Sequence, residues 1–145
     1  MRVGAVVFDT YGTVVDFYRP MRRVLERLAA AKGVECDAGA LAIAWRTAYV
    51  FSTAAQAFAE SEFRPLREIH RENLASLLER DFSAPVGAAE LDEINAVWNR
   101  LDPWPDAVEG LLRMKGMAIV APLSNGNFAD MVRLARYGGL PWDII

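Results

Sequence analysis

The sequence has one cysteine, Cys36, and one histidine, His70. A lone cysteine makes no internal disulfide and no thiolate metal site, and a lone histidine excludes a multi-histidine metal cluster. No apolar run reaches the length that a membrane-spanning helix needs. Charge of one sign is also missing. Sixteen Lys and Arg against nineteen Asp and Glu leave a net charge of −3, with no block of like charge. Nucleic acid and anionic membrane surfaces are therefore not expected as partners. The apolar stretch Val3 to Phe8 is too short for a signal-peptide core and runs straight into an acid, so a reducing cytoplasm is the expected compartment. What is present is a chain of 145 residues, 53% hydrophobic and 24% charged. That is enough for one ordinary domain with a real core.

Val3 to Phe8 is continuously apolar and β-branched, the pattern of a strand buried on both faces. It ends on Asp9, and a Thr-Tyr-Gly-Thr turn follows. Pro20 suits the first turn of a helix, which Met21, Val24, Leu25 and Leu28 continue and Gly33 stops. Asp37 can cap a second helix carrying Leu41, Ala44, Trp45 and Ala48. Pro65 opens a third, with Leu66, Ile69, Leu74, Leu77 and Leu78. Leu91, Ile94, Val97, Trp98 and Leu101 mark a fourth. Asp102-Pro103-Trp104-Pro105-Asp106 is a breaker-rich joint. A short helix follows, then a second buried strand from Met117 to Leu123. Ser124-Asn125-Gly126-Asn127 is its turn, and a helix from Phe128 ends at Gly138-Gly139. Trp142 to Ile145 reads as the start of a third strand. This order suits a parallel, doubly wound core interrupted by a helical insertion.

In a parallel sheet with right-handed crossovers, neighbouring strands end on the same edge, and ligands bind there. Asp9 and Ser124-Asn125 are then expected to share one crevice. A carboxylate can act as a nucleophile in its own right. The backbone N–H groups of Thr10 and Tyr11 can bind an anionic group. Each feature also has a plainer reading, because an acid at a strand end and a Ser-Asn pair are ordinary turn chemistry. A Ser124 nucleophile would want a Gly-x-Ser-x-Gly elbow, but Pro122 stands two residues before it and His70 is the sole histidine base. Asp9 and Asp16 are too far apart across the turn to be read as a paired acid and base. His70 is expected as a solvated or packed helix residue. Arg46 stays open: it either snorkels from a half-buried helix face or points into the crevice between insertion and core.

At these residues the chain resembles the haloacid dehalogenase superfamily, and within it the type II (S)-2-haloacid dehalogenases. Phe8-Asp9-Thr10-Tyr11-Gly12-Thr13 is similar to the first motif. Trp45-Arg46 is similar to the arginine motif of the helical cap. Leu101 to Asp106 resembles the return from cap to core. Pro122-Leu123-Ser124-Asn125-Gly126-Asn127 is similar to the second motif. Gly139-Leu140-Pro141-Trp142-Asp143 resembles the segment before the third strand. The resemblance covers the whole chain. Phosphatases of the superfamily have a second aspartate where this sequence has Tyr11. The dehalogenases have an aromatic residue there and need no metal.

The resemblance implies an α/β fold: a Rossmannoid parallel-sheet core, incomplete in its C-terminal half, with an inserted four-helix cap. The core would comprise residues 1–16 and 102–145, and the cap 17–101. It implies hydrolysis of a small-molecule (S)-2-haloalkanoic acid to a 2-hydroxy acid, without metal or cofactor. Asp9 would attack the α-carbon and form an ester, which water would then cleave. Arg46 and Asn125 would stabilise the departing halide. Ser124 and the N–H groups of Thr10 and Tyr11 would hold the substrate carboxylate, and Thr13 would support Asp9. Tyr11 and Val50 would line the alkyl pocket. Homodimerisation is common in the family and is carried as an open expectation.

One departure matters. The family's third motif supplies a lysine and its fourth an acid that positions water, and no residue here matches either. Lys32 and Lys115 fall near the ends of surface helices. Without the lysine, Asp9 lacks the positive neighbour that favours its ionised form. The 145-residue chain by itself is therefore expected to be inactive or impaired, with an exposed strand edge and apolar face. Two alternatives stand beside this reading: a Mg²⁺-dependent phosphatase, and a truncated, non-catalytic fragment or partner-binding helical module.

Overall fold

The computed structural model describes residues 3–58 and 64–145, the side chains of 56–58 excepted. Residues 59–63 of the expected insertion lie outside the described residues. The chain divides into two compact units, Met1–Pro20 with Trp98–Ile145, and Met21–Val97.

The first unit is built on two parallel strands, β1 (Ala5–Phe8) and β4 (Ile119–Pro122), in the register Ala5 to Ile119 and Phe8 to Pro122. Two further strands, β2 (Val15–Asp16) and β3 (Asp102–Pro103), form a short antiparallel pair. The breaker-rich joint thus contains a paired segment. Pro103 is tolerated because a two-residue ladder makes little demand on its missing N–H. Helices α5 (Ala107–Lys115) and α6 (Phe128–Gly138) flank β4 in sequence. Gly139 closes α6 in the left-handed conformation, φ +62°, as the Gly138-Gly139 stop predicts. Leu111, Val120, Met131, Leu134 and Leu140 are buried.

β1 departs from expectation. The apolar run predicts burial on both faces, yet Val7 is 54% exposed and Ile119 on the neighbouring strand 50%. Side chains alternate across a strand. Val6 and Phe8 are partly covered, while Ala5 and Val7 are exposed. Among the described residues β1 pairs only with β4. The sequence is written for a two-sided environment, and the described residues cover one side.

Trp142 to Ile145 is not a strand. It lies against β4 all the same, since Asp143 N–H donates to the Val120 carbonyl at 2.8 Å and Asp143 Oδ2 accepts from Val120 N–H at 2.9 Å. Lys115 pairs with the same carboxylate at 2.9 Å. Lys115 and the Val120 N–H together hold the Asp143 carboxyl below its usual range.

Helix α1 (Tyr18–Lys32) starts in the first unit and continues into the second. Asp16 Oδ1 accepts from the N–H of Tyr18 at 2.8 Å and of Arg19 at 3.3 Å, so this buried acid caps the helix. Helices α2 (Ala38–Phe58), α3 (Leu66–Asp81) and α4 (Ala88–Asn95) complete the second unit. Asp37 caps α2 as expected, accepting from Ala40 N–H at 2.9 Å. The fourth expected helix breaks in two: α4 stops at Asn95, and a 3₁₀ turn runs over Ala96–Asn99. Met21, Leu25, Trp45 and Leu74 are wholly buried in this unit. Lys32 of α1 pairs with Glu90 of α4 at 2.7 Å.

Candidate active site

In the first unit the parallel pairing sets the site. Phe8 lies opposite Pro122, and Leu123 N–H donates to the Phe8 carbonyl at 2.7 Å. The chain therefore leaves both strands at one sheet edge, with Asp9 following one and Ser124-Asn125 the other. Asp9 is exposed, and Thr13 Oγ1 donates to its Oδ2 at 2.8 Å. That bond fixes one carboxylate oxygen.

The turn that carries these residues is tightly held. Val14 and Val15 N–H both donate to the Thr10 carbonyl, at 3.0 and 3.1 Å, and Gly12 N–H donates to the Val15 carbonyl at 2.9 Å. Gly12 has φ +96°, a conformation that side chains disfavour. Trp104 Nε1 donates to the Gly12 carbonyl at 3.1 Å, clamping the turn to the segment after β3. Thr10 is completely buried, and its hydroxyl finds no hydrogen-bond partner among the described residues.

Tyr11 is buried beneath the edge. Its ring meets Trp98 edge-on, with centroids 5.5 Å apart. Its phenol packs on Gly126, where a Cβ would stand 2.9 Å from Tyr11 Oη and 2.7 Å from Met131 Sδ. The second turn therefore needs its glycine for close approach. Ser124 Oγ accepts from Gly126 N–H at 3.2 Å, an internal turn bond. Asn125 is exposed. Among the described residues no three His, Cys, Asp or Glu side chains gather to hold a metal ion.

Arg46 and Val50 belong to the second unit, both on α2. Val50 is exposed and Arg46 half-buried. The Arg46 guanidinium carbon lies 4.5 Å from the centroid of the Tyr49 ring, one helical turn on. Tyr49 also contacts His70 of α3, with centroids 4.8 Å apart. Trp45 meets His70 edge-on at 6.5 Å, and its Nε1 donates to the His70 carbonyl at 2.8 Å. Ser52 Oγ donates to Asn73 Oδ1 at 3.1 Å, extending this seam by a turn on each helix. His70 is only 2% exposed, so it is packed rather than solvated. Burial, with a smaller contribution from the Arg46 charge, lowers its pKa to about 3. Trp98 and Gly126 beside Tyr11 in the first unit, and Tyr49 and His70 beside Arg46 in the second, were not expected from the sequence. The signal for Tyr49 was its spacing, three residues after Arg46. The apolar pattern around His70 gave no such cue.

The family model for haloacid dehalogenase-like hydrolases, described as a hydrolase family, matches residues 3–143. Among solved structures the chain is similar to a defluorinating L-2-haloacid dehalogenase, with 41% identity and a TM-score of 0.93 over 99% of this chain and 59% of that one. It is similar to a second L-2-haloacid dehalogenase at 31% identity and a TM-score of 0.88, over 99% of this chain and 61% of that one. A third is the L-2-haloacid dehalogenase from Xanthobacter autotrophicus with chloropropionic acid covalently bound, at 25% identity and a TM-score of 0.82, over 98% of this chain and 55% of that one. The chain thus spans about 60% of the length of the first two structures it matches. No curated protein sequence matches. With the family model matched along nearly its whole length, the chain belongs to the haloacid dehalogenase-like hydrolases.

Proposed function

We propose that this chain carries the nucleophile half of a hydrolytic L-2-haloacid dehalogenase. The observation that carries the reading is Asp9, exposed at the β1 edge with one oxygen held by Thr13 and an aromatic residue, Tyr11, two positions on. The named activity of the similar structures supports it, as does the covalent chloropropionic acid complex among them.

Asp9 attacks the α-carbon of the 2-haloacid in line with the carbon–halogen bond. The C–O bond forms as the C–X bond breaks, the halide leaves with the electron pair, and the carbon inverts. Water then adds to the Asp9 carbonyl carbon, and collapse releases the 2-hydroxy acid, a proton and the carboxylate. Thr13 holds the carboxylate in one orientation, which lowers the entropic cost of reaching the attack geometry. Ser124 and the N–H groups of Thr10 and Tyr11 hold the substrate carboxylate, and Tyr11 gives the alkyl group an apolar wall. The second unit acts as the cap: Arg46 stabilises the charge that grows on the halogen, together with Asn125, and Val50 faces the alkyl chain. A fixed cation is worth most where charge develops away from water. The core is assigned to 1–16 and 102–145, and the cap to 17–101.

A second reading, a Mg²⁺-dependent phosphatase, is less well supported because Tyr11 has no carboxylate to protonate a leaving group. The two separate by assay. Chloride release from (S)-2-chloropropionate that is slow, because the chain matches neither the family's lysine nor its water-positioning acid, needs no added metal and is lost in Asp9→Asn is the expected result. Mg²⁺-dependent release of p-nitrophenol from its phosphate, lost in Asp9→Asn and without any chloride release, would overturn it.

A further inference from the structure

The second unit holds a cluster around Arg46 whose aromatic members no role assigned above uses. Arg46 lies over the Tyr49 ring at 4.5 Å, Tyr49 lies against His70 at 4.8 Å, and Trp45 closes on His70 from α2. Tyr49, His70 and Trp45 are all buried, and Trp45 is bonded to the His70 main chain at 2.8 Å. Their places follow from the helical period, since 45, 46 and 49 fall on neighbouring turns of α2. We propose that Tyr49 is a positioning residue for Arg46, with His70 and Trp45 as the wall that fixes the Tyr49 ring. This rests on the reading of Arg46 as the halide-stabilising cation.

The physics supports that division of labour. A long arginine side chain on a half-buried helix face has many rotamers, and holding one costs entropy. A ring face under the guanidinium attracts it without itself occupying an N–H donor. His70 suits the wall. Buried and neutral, it adds no second positive charge to repel Arg46.

The test uses the 145-residue protein and needs no turnover. The Arg46 side-chain Nε–H resonance and its δ protons are followed by NMR while sodium bromide is added, with sodium sulfate matching ionic strength. The comparison is between wild type, Tyr49→Phe and Tyr49→Leu. Phenylalanine keeps the ring face, and leucine removes it. The proposal expects ring-current upfield shifts at Arg46 in wild type and Tyr49→Phe, and their loss in Tyr49→Leu. It also expects bromide to perturb Arg46 about two- to fivefold more weakly in Tyr49→Leu, the range that one cation–π contact supports. Unshifted Arg46 protons in wild type, or an equal bromide response in all three proteins, would overturn it. If the ring shifts follow Tyr49 but bromide never perturbs Arg46, the halide role of Arg46 fails while the stack stands. Backbone amide spectra of Tyr49→Leu show whether α2 and α3 keep their fold. If they do not, Tyr49→Phe carries the comparison: a bromide response lost in Tyr49→Phe contradicts positioning by the ring face.

Discussion

The two units solve the burial problem differently. In the helical unit, aromatic and polar side chains go inside: Trp45 is wholly buried, His70 is buried without charge, and Tyr49 lies between His70 and Arg46. Among the described residues, its exposed large apolar side chains are Ile43, Val50 and Phe51. The sheet unit exposes many more, among them Val3, Val7, Ile119, Leu123 and Phe128, with several gathered on and beside β1 and β4. The helical unit buries most of its large apolar side chains, while the sheet unit presents a nucleophile on an edge with exposed apolar side chains beside it. Chemistry at an edge and packing in a bundle set different demands on the same chain.

The largest test of that contrast is Trp45→Ala. Removing a wholly buried indole from α2 is expected to cost about 3–5 kcal/mol in the helical unit. Hydrogen exchange should lose protection in α2 and α3 first and leave β1 and β4 nearly unchanged. An equal loss in both units would dissolve the comparison.

Acid gives the next largest effect. Burial lowers the His70 pKa to about 3 from an ordinary value of 6.5. Between those limits the unfolded chain binds a proton that the folded chain does not. Stability therefore rises with pH there: the full contribution is present above about pH 6.5 and is lost as pH falls toward 3. The loss should be on the order of 4 kcal/mol. His70→Phe, which keeps a ring against Tyr49, should flatten this part of the urea-denaturation pH profile. A profile unchanged by that substitution would show that His70 is not the titrating group.

The smallest effect sharpens the contrast from the other side. Val7→Thr on the exposed face of β1 should change stability by no more than about 0.5 kcal/mol, as for other open positions. It should also reduce dye binding at the apolar face. A loss of several kcal/mol would mean that Val7 is covered in solution.

Much of this was legible in the residues. Helical periods placed the helices, Asp37 and Gly139 marked their ends correctly, and the two apolar runs gave the parallel pair. Asp9 at a strand end followed from the first run alone. Long-range partners left no local trace. Val15-Asp16 finds Asp102-Pro103 across the whole insertion, and nothing in either dipeptide announces a strand. Asp16 reads as a spare acid until its main-chain neighbours show it capping α1. His70 looks like a polar helix residue because its burial is set by Trp45 and Tyr49 on another helix. The apolar run of β1 misled in the opposite sense, promising cover on both faces where the described residues supply it on one.

The most direct test of the central claim is the mass of the Asp9 peptide. The protein is mixed in excess with (S)-2-chloropropionate in ¹⁸O-labelled water, quenched in acid at early and late times, and digested. The account predicts an Asp9 peptide heavier by one 1-carboxyethyl group at early times, formed slowly in this chain, then a carboxylate carrying ¹⁸O, both absent in Asp9→Asn. Chloride that appears in solution while the Asp9 peptide keeps its original mass throughout would contradict it.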